Sequence, residues 1–569
     1  MNANQLLEHF HRIGDAPDAI PRLRRFIRDL AVRGKLVPQD PKDEPASELL
    51  KRIATEKARG KRQEQDIPEI DNPDGPTALP RNWSLIPLIA LGSWAIGAGF
   101  PKNEQGLDDG PYFFLKVSDM NLPGNEKYIT TSNNRIDDDA AARMRAKIHP
   151  PGTIIFPKIG GAIATNKRRI LTKGSAIDNN CLGITFSKEL DAEWAYLLLI
   201  TLDFTQYQAG TAVPALQQGV LEQIAVGLPP LAEQHRIVAK VDELMILCNR
   251  LEAARDERET TRDRLTAGSL ARLNAPDPET FQDGARFALN ALPVLTTRPE
   301  QIKPLRQTIL NLAVRGKIVP QDPKDEPASE LLKRIAAGKA ERKRKTGDAR
   351  IKFEPDPNPD ELALALPPGW VVQSFENLFL FIDYRGNTPP KTHEGIPLIT
   401  AKNIRMGYLN REPREYISEK TFKTWMTRGF PEIGDLFFTT EAPLANVCLN
   451  DISEPFALAQ RAICFQPYAK IDTKFLMFAL MSDLMQSLID AHATGMTAKG
   501  IKAANLKPLP IPIPPLTEQH RIVAKVDELM ALCDRLEASL TTSNDTRRRL
   551  LAALLAEGLL PDKVQEQAA

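Results

Sequence analysis

The chain has 569 residues, 42% of them apolar and 26% charged, with a net charge of +1. No run approaches the roughly 18 apolar residues a membrane span needs, and a neutral balance gives no global basic field to announce a nucleic-acid partner. The five cysteines form no CxxC pair and the start, "MNANQLLEHFHRIGD", is not a secretory signal, so a cytoplasmic chain with reduced thiols, without zinc or disulfides, is the expectation.

The first expected element is a helix over residues 21–35. Leu23, Phe26, Ile27 and Leu30 share a face, Pro21 lies near the start, and Gly34 sits where a C-terminal cap belongs. A second helix follows from Ser47, which reads as its N-cap. A Pro/Asp-rich linker then leads to a mixed block whose first aromatic is Trp83. From residue 229, "PPLAEQHRIVAKVDELMILCNRLEA" opens a long helix with Ile237, Val241, Leu244, Cys248 and Leu251 on an a/d seam. Its helical character runs to residue 273, some 35 residues and roughly 50 Å.

The same series then recurs. Residues 312–336 repeat residues 30–54 except for Leu36/Ile318, at an offset of 282. Residues 514–538 repeat residues 229–253 at an offset of 285, and their seam is Ile522, Val526, Leu529, Cys533 and Leu536, with Thr517 as the expected N-cap. One unit of about 285 residues is therefore duplicated. The blocks between the repeats diverge, although "KVSDM" at 116–120 echoes "TAKNI" at 400–404 and "PGTIIF" at 151–156 echoes "IGDLFF" at 433–438. Identical flanks imply that one partner is met twice; divergent middles imply that two different things are recognised. In the middle of the chain the long helix is followed by the helices of 304–345, whereas the corresponding pieces at the ends lie at opposite termini. Termini that meet would rebuild the central helical module and make the chain pseudo-twofold and circular.

Enzyme readings find no support. There is no G-x-x-x-x-G-K-[ST], no G-x-G-x-x-G after a strand, and no H-x-x-x-H or H-E-x-x-H spacing. His235 and His520 read as solvated helix-surface residues, and "KAERKRK" at 339–345 reads as a solvated helix end. Binding signals sit in the divergent blocks. "FPKIGGAIATNKRRIL" at 156–171 joins Lys158 and two glycines to Lys167, Arg168 and Arg169, a loop able to approach phosphates, or else a hairpin with a solvated basic turn. Thr439, Thr440 and Asn446 occupy the corresponding place in the second block, without the basic cluster. Side chains suited to base edges are Lys116, Asn180, Gln217 and Gln218 in the first block, then Lys402, Asn403, Arg405, Gln460, Lys499 and Lys502 in the second.

The segments "LRQTILNLAVRGKIVPQ" and "PPLAEQHRIVAKVDEL", set around a variable block, resemble the specificity subunits of type I restriction–modification systems. The resemblance spans nearly the whole chain. It implies an α+β fold in which two globular α/β target recognition domains are separated by two long helical, coiled-coil conserved regions. Boundaries follow: helical segment 1–66, linker 67–80, recognition domain 81–228, central helical region 229–352, linker 353–369, recognition domain 370–513, and C-terminal helical region 514–569. The resemblance further implies a non-catalytic subunit that reads a bipartite, asymmetric site in double-stranded DNA. It docks two methyltransferase subunits, with restriction subunits in the full complex. S-adenosylmethionine, ATP and magnesium are expected on those partners and no cofactor or metal on this chain. A helical scaffold joining two protein-binding domains, without DNA, is the alternative.

Overall fold

The computed structural model describes residues 13–58, 79–210, 213–274, 278–349, 351–362, 364–384, 388–459, 461–495 and 499–559. It divides into two compact units. One comprises Met1–Glu257 with Asn544–Ala569, the other Arg258–Ser543.

In the first unit the helix Ala19–Val32 ends as the sequence requires. Gly34 takes φ +67°, its N–H donates to the Ala31 carbonyl (3.4 Å), and the Lys35 N–H donates to the Leu30 carbonyl (3.0 Å). These two bonds satisfy carbonyls that the helix end would otherwise orphan. The next helix is Ala46–Ala58, so Ser47 lies inside its first turn rather than at the cap; the Ala46 N–H is satisfied instead by the Asn82 carbonyl (3.0 Å).

The block that follows is closed at its base by strands Ser84–Pro87 and Ala225–Leu228, paired antiparallel with Ser84 opposite Leu228. Its main sheet has the order Gly92–Ile96, Cys181–Phe186, Ile154–Pro157, Arg169–Leu171, Tyr128–Ile129. A smaller sheet joins Tyr112–Leu115 to Arg135–Ile136 antiparallel and to Ser175–Ile177 in parallel. The helix Ala192–Thr201 is N-capped by Asp191, which accepts from the Trp194 N–H (2.8 Å).

The second unit repeats this plan. Strands Val371–Ser374 and Pro510–Ile513 close the base, and the main sheet runs Phe379–Asp383, Ala462–Pro467, Leu436–Thr439, Val447–Leu449. Ile396–Ile399 pairs antiparallel with Tyr416–Ile417 and in parallel with Ala457–Leu458. Two blocks of dissimilar sequence thus share the closing pair, the three-stranded sheet and four strands of the main sheet, to which the first block adds Tyr128–Ile129, and the fold is the expected α+β arrangement of two mixed blocks with long helices.

Those long helices are Leu231–Asn274 and Leu516–Leu559, 44 residues each, which is about 66 Å and exceeds the expected rod. Each begins in one unit and ends in the other. Thr517 lies in the first turn and donates to Asp325 (2.5 Å), so it is not the cap expected of it. The seam holds from Ile237 to Cys248 and from Ile522 to Cys533, but Leu251 and Leu536 stand exposed, beyond its end.

Within each unit, helices and block share one core. Trp83, Trp194, Ile27, Leu49, Ile53, Ile237, Val241 and Cys248 are contiguous in the first; Trp370, Phe475, Ile309, Leu331, Ile335, Ile522, Val526 and Cys533 are contiguous in the second. The repeated residues make the same polar contacts twice. Glu233 is buried and accepts from the Trp83 indole (3.0 Å) and Gln39 (2.7 Å); Glu518 accepts from Trp370 (3.1 Å) and Gln321 (3.0 Å). Burial raises the pKa of both carboxyls, against the pull of those donors. Arg236 pairs with Asp43 (2.5 Å) as Arg521 does with Asp325 (2.6 Å).

The described segments nearest the two termini meet in the first unit: Leu551, Leu554 and Leu555 bury against Ile13, Ala16 and Ala19. Among the described residues all five cysteines are buried free thiols, and no helix is long and apolar enough to cross a membrane.

Candidate nucleic-acid interface

The two main sheets end alike. In the first block, Pro157 pairs with Cys181 in the last rung between adjacent strands. One step further, the Lys158 N–H donates to the Asn180 carbonyl (2.7 Å), and the Lys158 carbonyl accepts from the Leu216 N–H (2.9 Å). Three backbone segments therefore meet at one strand end, with an antiparallel bridge between Ile159 and Ala215. In the second block the last rung pairs Thr439 with Ala462. The Thr440 N–H donates to the Arg461 carbonyl (2.9 Å), the Thr440 carbonyl accepts from the Ile501 N–H (2.9 Å), and Glu441 bridges Gly500.

The backbone is the same at both ends and the side chains are not. The first end carries Lys158, half-buried, with Asn180 and Gln217 exposed; the Asn180 amide is steadied by Asp178 (3.0 Å). The second carries Arg461, ion-paired to Glu441 at 2.7 Å and half-exposed, with Lys502 exposed beside Ile501. Arg461 adopts φ +63°, a conformation disfavoured for a residue with a Cβ. Amide and guanidinium groups at a sheet end are donors and acceptors of the kind that fit base edges.

Sequence reasoning missed Arg461 and named its neighbour Gln460, which lies outside the described residues. The signal was present in the strand offset, because Arg461 stands one residue before the Ala462–Thr439 rung as Asn180 stands before Cys181–Pro157.

Several expected readers are structural. Arg168 is 1% exposed. Its guanidinium lies 4.1 Å from the Phe204 ring centroid and 5.1 Å from that of Phe156, and donates to the carbonyls of Lys167 (3.0 Å), Leu199 (3.3 Å) and Leu202 (3.4 Å). Burial lowers its pKa to about 9. It is core, so the basic cluster is not a surface clamp. Arg169 donates twice to the Met120 carbonyl (3.2 and 3.1 Å), and burial lowers its pKa as well. Lys167 reaches Asn121.

In the second block Asn403 is buried and ties together Thr400, Asn410 and Pro413 (3.1 Å each). Thr439 and Thr440 are buried and bonded to the carbonyls of Pro443 (2.5 Å) and Arg461 (3.2 Å). Asn446 holds the Ile404 carbonyl (3.0 Å). Their hydroxyls and amides shape loops and do not face outward.

Of the remainder, Lys116 donates to Gln105 (3.2 Å), Gln218 to Glu222 (2.9 Å), Lys402 to Glu415 (3.4 Å) and Lys499 to Asp490 (2.6 Å). Arg405 pairs with Tyr408 across a short hairpin, half-exposed. Lys339, read as part of a solvated helix end, is 1% exposed and bonds the Glu376 carbonyl and Asn377 (2.8 Å each); burial lowers its pKa to about 8. Among the described residues, no group of histidine, cysteine and acidic side chains is placed to hold a metal ion.

Comparison with known proteins converges on one family. The model described as "Type I restriction modification DNA specificity domain" matches residues 101–258 and 370–543. The EcoAI specificity subunit of Escherichia coli is 30% identical over 559 residues, covering 94% of this chain and 93% of its own. The EcoEI specificity subunit of Escherichia coli is 28% identical, with the same coverages. Among solved structures, the HsdS subunit from Thermoanaerobacter tengcongensis covers 85% of this chain and 98% of its own, at 19% identity and a TM-score of 0.41. Duplicated blocks, repeated helices and the twofold match of the family model lead to one conclusion: the chain belongs to the type I restriction–modification DNA specificity subunits, recognition proteins whose enzyme partners carry the catalysis.

Proposed function

We propose that the chain reads an asymmetric, two-part site in double-stranded DNA, one half with each block, and presents that site to two methyltransferase subunits for adenine methylation. Restriction subunits join the larger assembly. The observation that carries this reading is the pair of equivalent strand ends, alike in backbone and unlike in side chains. Lys158, Asn180 and Gln217 face one half-site; Arg461 and Lys502 face the other. Each reader then belongs to a domain near the expected limits, 81–228 and 370–513.

Docking of two like partners is supported by a repeated exposed apolar pair. Leu247 and Leu251 stand 44% and 41% exposed, one turn apart on their helix, and Leu532 and Leu536 stand 44% and 36% exposed on the other. Both pairs are identical in the duplicated sequence.

The test is methylation by the complex with its methyltransferase partner. Alanine at Lys158, Asn180 and Gln217 relaxes or abolishes one half of the recognised motif. Alanine at Arg461 and Lys502 does so for the other half alone. Each bidentate base contact is worth about 1–3 kcal/mol. Loss of both halves from either set of substitutions contradicts the division of labour.

A further inference from the structure

The two long helices diverge in a patterned way. Their first halves, which pack on repeated sequence, are nearly identical. Their second halves, from about residue 254 and residue 539, are not, and they pack on segments that also differ.

In the second unit, residues 258–274 carry Asp263 toward the segment that follows Leu295. Asp263 accepts from Arg298 (2.5 Å) and Gln301 (3.0 Å), and Asn274 approaches Thr308 (3.5 Å). Thr266 and Ser269 are buried. In the first unit the equivalent positions, at the offset of 285, are Arg548, Leu551 and Leu554. The leucines bury against Ile13, Ala16 and Ala19, and Arg548 lies 3.9 Å from Asp18. At the offset of 282, Ile13, Ala16 and Ala19 correspond to Leu295, Arg298 and Gln301. The long helix meets its partner segment through an acid bonded to Arg298 and Gln301 in one module, and through leucines packed on Ile13, Ala16 and Ala19 in the other. The charged partner on the long helix is acidic in one and basic in the other.

We propose that these faces are a pairing code. Residues 544–559 accept the N-terminal segment and reject the segment after Leu295, while residues 258–274 do the reverse. A duplicated chain needs such a device, because its identical first halves cannot tell one module from the other. Exchange sets Asp263 beside Asp18, over Ile13, Ala16 and Ala19, which offer it no donor side chain, and leaves Thr266 and Ser269 where Leu551 and Leu554 fill space. The opposite exchange sets Arg548 beside Arg298 and covers Gln301 with leucine. Rejection by unpaired buried polar groups and like charges is a general source of partner choice. The code ensures that the N-terminal and C-terminal segments close on each other. This inference stands independently of what the blocks read.

The experiment is a substitution cycle in the full-length chain, read by amide hydrogen exchange. One variant carries Arg548→Asp, Leu551→Thr and Leu554→Ser; a second carries Ile13→Leu, Ala16→Arg and Ala19→Gln; a third carries all six. Each single-sided variant is expected to speed exchange across residues 13–32 by about tenfold or more, and the six-fold variant to recover most of that protection, as coupled partners do. Unchanged protection in residues 302–314 shows that the second unit stays folded. The proposal is overturned if the six-fold variant is no better protected than the weaker single-sided one, or if either single-sided variant keeps wild-type protection.

Discussion

Arg168 shows what a residue pattern conceals. Lys167, Arg168 and Arg169 stand together in the sequence as a surface clamp would, yet the middle arginine is sealed between Phe156 and Phe204 with backbone carbonyls as its partners. Phe156 stands in the same stretch, but Phe204 and the carbonyls of Leu199 and Leu202 come from a later segment of the block that the local pattern does not reveal. Arg168→Ala is expected to lower the stability of the chain by about 3 kcal/mol, seen as a lower urea midpoint; weaker DNA binding at unchanged stability contradicts the assignment. Asp435 is a second buried residue with a measurable signature. It accepts from the Glu432 N–H (2.7 Å) and from Gln466 (3.0 Å), yet burial raises its pKa to about 6. A carboxyl whose folded pKa is raised holds its proton more tightly in the fold than when unfolded. Its contribution is therefore most favourable below the ordinary carboxyl range and is lost as pH rises through about 6. Asp435→Asn is expected to flatten the dependence of the urea midpoint on pH between about 4 and 6, relative to the parent protein. An identical slope in both proteins contradicts this.

At the scale of elements, caps and seams were legible where their cause is local. Gly34 and Gly316 take φ +67° and +64° at the ends of equivalent helices, and a Cβ at either would fall 2.4 or 2.5 Å from a proline ring, Pro80 or Pro367. Gly316→Ala is accordingly expected to cost about 1–2 kcal/mol, measurable as a lower thermal midpoint; a neutral or stabilising effect contradicts it. Ser47 and Thr517 were misread because the neighbouring prolines already set the helix entry, and Thr517 found a partner 192 residues away, Asp325, that spacing does not reveal. The heptad seam was read one step too far. Periodicity placed Leu251 and Leu536 with the buried positions, whereas the core each helix packs against ends near Cys248 and Cys533. Those leucines now support the docking proposal. Leu251→Glu is expected to reduce the methyltransferase subunits bound per chain from two to one, and Leu251→Glu with Leu536→Glu to reduce them to none, by native mass spectrometry; two bound subunits in the double variant contradict it.

At the scale of the whole molecule, the duplication was the most legible feature, since two exact-order repeats at offsets of 282 and 285 define it without any structure. Its meaning was only half visible. The repeated residues were taken as a surface for one partner met twice, but Glu233, Gln39, Arg236 and Asp43, with their counterparts Glu518, Gln321, Arg521 and Asp325, bind each other inside their own unit. Much of the sequence identity therefore serves to seat helices on blocks. The reading ends were least legible, because they depend on which strands lie side by side, and that pairing joins residues as distant as Lys158 and Leu216. The central claim, that the chain directs methylation to a two-part site, is tested most directly by sequencing the methylome of cells that carry the methyltransferase partner, with and without this chain. A two-part, asymmetric methyl-adenine motif present only with the chain is the predicted result. A methylome that is the same in both, with the partner expressed and active, would contradict it.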